Sequence, residues 1–341
     1  MTPPPSGRLL AGEPPPIQPV AADIIILALD RADETIAAIL SARAQTGVDT
    51  HVYVLDQGST PENLDRLVTA IGPHCSLFVT DANLGVAGGR NFLSRVGTGR
   101  TIVALDNDAE FATTDTVARL VAALDAEPAL AAIGCRIVSD RTGRDDLSSW
   151  GYPRGLLPAA GESFDAVTFV GAGHAIRRSA WLNAGGYDDA LFFCWEEFDF
   201  ALRAIAQGWR IRYRGDIVIR HKVAGEHRVT WSGRRWFYFV RNRLYIERKH
   251  ARSAWPRAAG YLVKGTINGR PIATLRAIMA AWRMPAEPAD RALGAQALGA
   301  QALAYLRRND QAHRGGLVRR LMREVFAAIG QPSGAAATAG R

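Results

Sequence analysis

Thr101-Ile102-Val103-Ala104-Leu105-Asp106-Asn107-Asp108 decides the fold of this 341-residue chain. A short apolar run ends in two carboxylates. Such a run, bounded by polar residues, fits a strand buried on both faces, as in a parallel sheet. Side chains alternate along a strand, so Asp106 and Asp108 converge on one side. The arrangement repeats upstream, where the run 24–29 leads into Asp30 and the run 50–55 into Asp56. Helical spacing occupies 34–45, with Ile36, Ile39 and Leu40, and again 64–71. Residues 77–80 read as a further strand and 91–96 as a brief helix. Strand–helix alternation predicts a parallel α/β sheet. Ligands on such sheets bind beyond the carboxyl ends of the strands, the edge that Asp30, Asp56 and Asp106 would share.

Downstream, residues 116–124 read as a helix and 131–138 as a strand. The stretch 139–165, rich in Gly, Ser, Asp and Pro, reads as a long loop on the acceptor side. Residues 167–175 look strand-like, 178–184 helical, and 198–207 helical up to Gly208. Short strands are expected at 211–213 and 217–220, and nearly continuous helix after Arg234. The proline-rich residues 1–20 and the tail 331–341 carry too few apolar side chains to order themselves. The division expected is therefore a catalytic domain over 21–235 and a helical region over 236–330. Within the catalytic domain, residues 21–110 form a nucleotide half and 111–235 an acceptor half.

The net charge of +8 hides an asymmetry: residues 1–200 carry −12 and residues 201–341 carry +20. The basic half suits an anionic partner, including a membrane surface. The segment 317–329, with Arg319, Arg320 and Arg323, has the pattern of a basic amphipathic helix, and 272–284 is apolar and punctuated by Arg. The three cysteines are scattered and form no CxxC, which argues against a zinc site and fits a reducing, cytoplasmic compartment. No signal peptide or membrane span is legible. The basic half contains no recognisable nucleic-acid module.

Phe192-Phe193-Cys194-Trp195-Glu196-Glu197-Phe198-Asp199-Phe200 sets three carboxylates among aromatic residues. One of them is placed to take a proton from an incoming hydroxyl. Asp106-Asn107-Asp108 offers the oxygen ligands that a hard divalent cation takes when it bridges a diphosphate. Asn83-Leu84-Gly85-Val86-Ala87-Gly88-Gly89-Arg90-Asn91 reads as a glycine-rich loop whose backbone can approach a ligand closely. Each motif also has an ordinary structural reading. Asp56-Gln57-Gly58-Ser59 are turn residues, acids at a helix start favour the helix dipole, and a lone His221 is usually structural.

In order, the chain carries Asp30-Arg31, Asp56-Gln57-Gly58-Ser59, Asn83-Leu84-Gly85, Gly89-Arg90-Asn91 and Asp106-Asn107-Asp108. Gly185-Gly186-Tyr187-Asp188, Trp195-Glu196-Glu197-Phe198-Asp199, Arg203, His221 and Arg241-Asn242-Arg243 follow. Over residues 22–250 this set resembles the family-two inverting glycosyltransferases of GT-A fold, especially the rhamnosyltransferase-like branch. The resemblance implies a Rossmann-like, mostly parallel sheet flanked by helices, with a helical C-terminal extension. It implies a nucleotide-diphosphate sugar donor bound by Asp30, Asp56, Asn83, Arg90 and Asp106. It also implies a divalent metal, Mg or Mn, on Asp108 with His221 as a further ligand. Glu197 takes the position of the general base, where Asp is commoner, and Glu196 and Asp199 are close enough to share or take that role. Asp30 stands where such enzymes often have Asn.

The acceptors expected are a glycan, a lipid-linked glycan or a small molecule, handled in the cytoplasm or at the inner face of a membrane by a monomer or a homodimer. Two rival readings are a sugar nucleotidyltransferase and a non-catalytic sugar-nucleotide-binding module. The first should carry a Gly-rich, Arg- or Lys-bearing loop directly after the first strand, where this chain has Leu29-Asp30-Arg31-Ala32-Asp33. The second should have lost its carboxylates.

Overall fold

The computed structural model describes residues 7–222, 233–250, 252–285 and 298–316. The expected amphipathic segment 317–329 and the tail 331–341 lie outside them. In chain order come β1 (Gly7–Gly12), β2 (Ala22–Ala28), α1 (Ala32–Arg43), β3 (Thr50–Asp56), α2 (Pro61–Ala70), β4 (Cys75–Thr80), α3 (Gly85–Val96), β5 (Thr101–Leu105) and β6 (Ala109–Phe111). Then come α4 (Thr116–Ala126), β7 (Leu130–Ser139), β8 (Ser163–Ala166), β9 (Gly173–Arg177), α5 (Arg178–Asn183), α6 (Glu196–Ala206) and β10 (Arg210–His221). Four helices end the described chain: α7 (Gly233–Lys249), α8 (Trp255–Ile267), α9 (Pro271–Arg283) and α10 (Ala300–Asn309).

All ten strands form one sheet in the order β1-β4-β3-β2-β5-β9-β7-β10-β6, with β8 also paired to β10. The run β4-β3-β2-β5 is parallel throughout, and β7 lies parallel to β10. The apolar strands fill both faces by alternation. Ile25, Tyr53, Leu55, Ile102 and Ala104 enter one core, under α3, α5 and α6. Ile24, Ile26, Val52, Val54, Val103 and Leu105 enter the other, under α1, α2 and α4. A third core joins α7, α8 and α9 through Trp236, Val240, Leu244, Ala258, Ala277 and Ala281.

The structure departs from expectation at four places. Residues 7–12, expected to be without order, form β1, an antiparallel edge strand that pairs Leu9 with Phe78 and covers the open side of β4. The expected glycine-rich loop is the first two turns of α3. Glycine disfavours helix, but tertiary packing overrides it here. A Cβ at Gly89 would stand 2.9 Å from the Leu27 side chain and 3.1 Å from that of Gln57, so the helix can lie on β2 only without one. The strand expected over 167–175 is instead β8 and β9, joined by residues 167–172. The two strands expected at 211–213 and 217–220 are one, β10, with a register shift between Arg214 and Val218 that absorbs Gly215.

Candidate active site

The carboxyl ends of β2, β3 and β5 lie at one edge: Ala28 faces Asp56 across the ladder, and Ile26 faces Leu105. Asp30, Asp56 and Asp106 therefore share that edge. Asp30 and Asp56 shape the loop after β3. The Asp56 carboxylate accepts from the backbone N–H groups of Gly58 and Ser59, each at 3.1 Å, and from the Ser59 hydroxyl. Asp30 Oδ1 accepts from Thr60 N at 2.9 Å and Asn63 Nδ2 at 3.1 Å. The Asn83 carboxamide oxygen accepts from Gly85 N at 2.8 Å, an Asx turn that leads into α3.

Asp108 meets His221 at the end of β10. His221 Nε2 lies 3.2 Å from Asp108 Oδ1, and its Nδ1 lies 2.9 Å from Asp146 Oδ2. Arg31 Nη1 donates to the other Asp108 oxygen at 2.9 Å. A carboxylate on the far ring nitrogen is how proteins orient a ligating histidine and raise its basicity. Sequence reading missed Asp146, because it lies 75 residues from His221 in a segment with no motif of its own. Burial disfavours the charged ring, yet Asp108 and Asp146 together raise the His221 pKa to about 10. Among the described residues no group of three or more His, Cys, Asp or Glu side chains is drawn together as a cage for a metal. Asp108 and His221 bring one hard oxygen donor and one imidazole together, with Arg31 on the other Asp108 oxygen.

Glu197 reaches the same place from the other half of the domain. Arg90, 3% exposed, donates through Nη1 to Glu197 Oε1 at 2.7 Å and through Nη2 to Asp106 Oδ1 at 2.9 Å. A third bond from Nη2 reaches Gly171 O at 2.8 Å. One guanidinium thus ties α3, the end of β5, the 167–172 turn and α6 together, 107 residues separating Arg90 from Glu197. Burial pushes the Glu197 carboxyl upward while Arg90 opposes the rise. Glu196 turns inward. Burial, and then the charge of Glu197, push it well above the ordinary carboxyl range, and its Oε2 has no hydrogen-bond partner among the described residues.

The loop that delivers these glutamates is strained. Phe192, Cys194 and Trp195 all have positive φ, of 60°, 72° and 73°. Non-glycine residues held there cost on the order of 1–3 kcal/mol each and persist only where their surroundings fix them. Asn242 on α7 does so: its carboxamide N–H groups donate to the carbonyls of Leu191, Phe193 and Cys194 at 2.8, 2.8 and 2.9 Å. Trp195 Nε1 donates to Phe239 O at 3.0 Å. Gly85 closes the other side with φ +71°, where a Cβ would come within 2.2 Å of Phe192 O. The Asn in Arg241-Asn242-Arg243 is thus a brace for the loop that precedes Glu196 and Glu197.

The structure places Asp199 away from this edge. It is completely buried and bonded to Arg203 Nε at 2.9 Å and Lys249 Nζ at 3.0 Å. Lys249 also bonds Asp188 at 2.8 Å. Burial opposes ionisation of Asp199, but Arg203 and Lys249 hold its pKa far below the usual carboxylate range. A carboxylate so placed is a poor proton acceptor for a substrate.

Residues 23–183 match the model of glycosyl transferase family 2. That match, over 161 of the 341 residues, supports a glycosyltransferase of this family. The succinoglycan biosynthesis protein ExoO of Rhizobium meliloti (strain 1021) is 35% identical over 122 residues, 35% of this chain and 34% of that protein. The chain thus spans about a third of the curated relative it matches. The mannosyltransferase PcManGT from Pyrobaculum calidifontis, solved with GDP-Man and Mn2+, superposes with a TM-score of 0.53 at 17% identity, covering 92% of this chain and 87% of that one. GalNAc-T7, solved with UDP, GalNAc and Mn2+, gives 0.56 at 14% identity, covering 91% and 57%. At these identities the likeness is one of fold, and the fold is GT-A. The family match ends before α6, so the Glu196-Glu197 region rests on the geometry above.

Proposed function

We propose that the chain is an inverting glycosyltransferase that moves a sugar from a nucleotide-diphosphate donor to an acceptor hydroxyl, with Glu197 as general base. The observation that carries this is the Arg90 bridge. It brings a carboxylate from residue 197 beside the carboxylates that follow β5, so an acid–base group and a diphosphate site share one edge. The donor lies along the carboxyl ends of β2, β3 and β5, near Asp30, Asp56, Asn83 and Asp106. Asp108 and His221 would hold a divalent cation, Mg or Mn, one through a hard carboxylate oxygen and the other through an imidazole nitrogen. When bound, such a cation neutralises charge on the departing diphosphate. Glu197 takes the acceptor proton as the hydroxyl oxygen attacks the anomeric carbon, and one displacement inverts the centre. Arg90 holds the Glu197 carboxylate toward the cleft. The acceptor is a glycan, free or lipid-linked, at the cytoplasmic face of a membrane. The succinoglycan relative supports a glycan acceptor.

The test is product formation from a panel of nucleotide sugars, with the anomeric configuration read by NMR. An excess of chelator should abolish transfer, and Asp108→Ala should remove most of it while leaving the fold intact. Mn2+ with donor nucleotide should raise the Tm of the wild type and not that of Asp108→Ala, since a ligand at 100 times its Kd stabilises by roughly 2.7 kcal/mol. Full turnover in excess chelator would remove the metal from the scheme.

Arg90 gives a separate expectation. Its positive charge favours ionised Glu197 against burial and the charge of Asp106. In Arg90→Met the Glu197 pKa rises further, so the acid limb of the kcat/KM–pH profile moves to higher pH. Activity lost at neutral pH should return in part under alkaline conditions. An unmoved acid limb would mean that Arg90 only packs.

A further inference from the structure

The helical hairpin of α8 and α9 carries seven large apolar side chains on the outside. Its inner face is built from small residues: Ala258, Gly265, Thr274, Ala277 and Ala281 pack against one another and against Trp236 of α7. A Cβ at Gly265 would meet Thr274 Oγ1 at 2.0 Å, so the two helices touch almost backbone to backbone. The outer face of α8 shows Trp255, Leu262, Val263 and Ile267, and that of α9 shows Ile272, Leu275 and Met279. Trp255 is 67% exposed and Ile272 68%. The spacings are those of one helical stripe on each element, 255-262-263-267 and 272-275-279. Single exposed apolar residues are ordinary, but two aligned stripes on one hairpin mark a contact surface.

Charge selects the occupant. Residues 252–285 contain six Arg or Lys and no Asp or Glu. Arg276 and Arg283 are exposed on the same face of α9 as Ile272, Leu275 and Met279. A second copy of this chain docking face to face would set these cations against their own counterparts. A nucleic acid would pair with the charges and leave the apolar stripes wet. Each helix has 13 residues, and no described helix is long and apolar enough to cross a membrane. Apolar stripes flanked by cations on short helices match a helix lying in the headgroup region of an anionic bilayer.

We infer that the outer face of the α8–α9 hairpin is a membrane-docking surface that seats the enzyme on anionic lipid. This rests on the membrane-side reading of the acceptor and names the surface and the lipid chemistry. The hairpin packs on α7, and α7 carries Asn242 and Phe239, which brace the loop before Glu196 and Glu197. Docking and the base-bearing loop are therefore one helix apart.

The experiment is co-sedimentation of the full chain with phosphatidylcholine vesicles, with and without phosphatidylglycerol. Binding should require phosphatidylglycerol and weaken with salt. Arg276→Gln with Arg283→Gln should lower affinity roughly thirtyfold, and Ile272→Gln with Leu275→Gln at least about tenfold. Slow donor hydrolysis is followed on the same proteins without vesicles. It should be unchanged in both double variants, and its absence in the wild type would count against the transferase reading and not against docking. Equal binding to neutral and anionic vesicles, or none, overturns the inference. Undiminished binding by both double variants moves the lipid contact to another part of the chain and overturns this surface. A concentration-dependent dimer in sedimentation velocity that the apolar variant abolishes would make the face an interface between copies.

Discussion

Glu197→Gln should lose about a hundred- to ten-thousand-fold in kcat, the usual worth of a general base, with donor affinity retained. The substitution keeps volume and can still accept one hydrogen bond from Arg90, so the bridge to Asp106 survives in part. What it removes is the capacity to take a proton. The companion change Glu196→Gln separates the two glutamates. Glu196 is buried with an oxygen that lacks a partner among the described residues, and burial favours its neutral form. A neutral amide of the same shape should be tolerated there, with kcat within a few-fold. Donor binding is measured by titration calorimetry and turnover by product release. If Glu196→Gln is dead and Glu197→Gln near wild type, the base is one residue earlier than proposed.

The depth of sequence legibility varied with the range of the interaction involved. The strands β2, β3 and β5 were legible because a buried parallel strand writes itself as a short apolar run, and the carboxylate after each run marked the shared edge. Elsewhere local rules gave the wrong element. The 85–90 segment looked like a loop because three glycines weaken helix propensity; only contact with Phe192 at Gly85, and with Leu27 and Gln57 at Gly89, shows why two of them must lack a Cβ. Residues 7–12 form a strand only because β4 offers an unpaired edge, which is invisible in a proline-rich N-terminus. Asp146 and Asn242 act across 75 and about 50 residues, through a histidine ring and three backbone carbonyls, and neither sits in a pattern that local spacing can expose. Among the three carboxylates of the 196–199 cluster the sequence left the choice open. Helical geometry decides where each side chain goes: Glu197 to the cleft, Glu196 inward, and Asp199 to Arg203 one turn on.

Asp199→Asn should destabilise the protein by about 3–5 kcal/mol, the usual cost of breaking a buried ion pair. The buried group holds two carboxylates, Asp188 and Asp199, against Arg203 and Lys249, with His250 Nε2 3.4 Å from Asp199 Oδ1. Removing one negative charge leaves Lys249 with Asp188 alone, and Arg203 with only the carbonyls of Ala184 and Gly186. That excess positive charge sits where water does not reach. A domain is typically stable by about 5–15 kcal/mol, so the variant should fold yet lie near its limit. Urea denaturation should show a lower midpoint with an unchanged slope. The pH dependence follows from the direction of the shift. The folded pKa of Asp199 is depressed, so its stabilisation is complete above the unfolded carboxylate value of about 3.9 and fades only as pH falls toward the folded pKa. The deficit of the variant should therefore be constant through the neutral range and shrink only in strong acid. Turnover per folded molecule separates this role from catalysis. If Asp199 only holds α6 against α7, the folded fraction keeps most of its kcat, whereas a stable but inactive Asp199→Asn would make it the proton acceptor and displace Glu197.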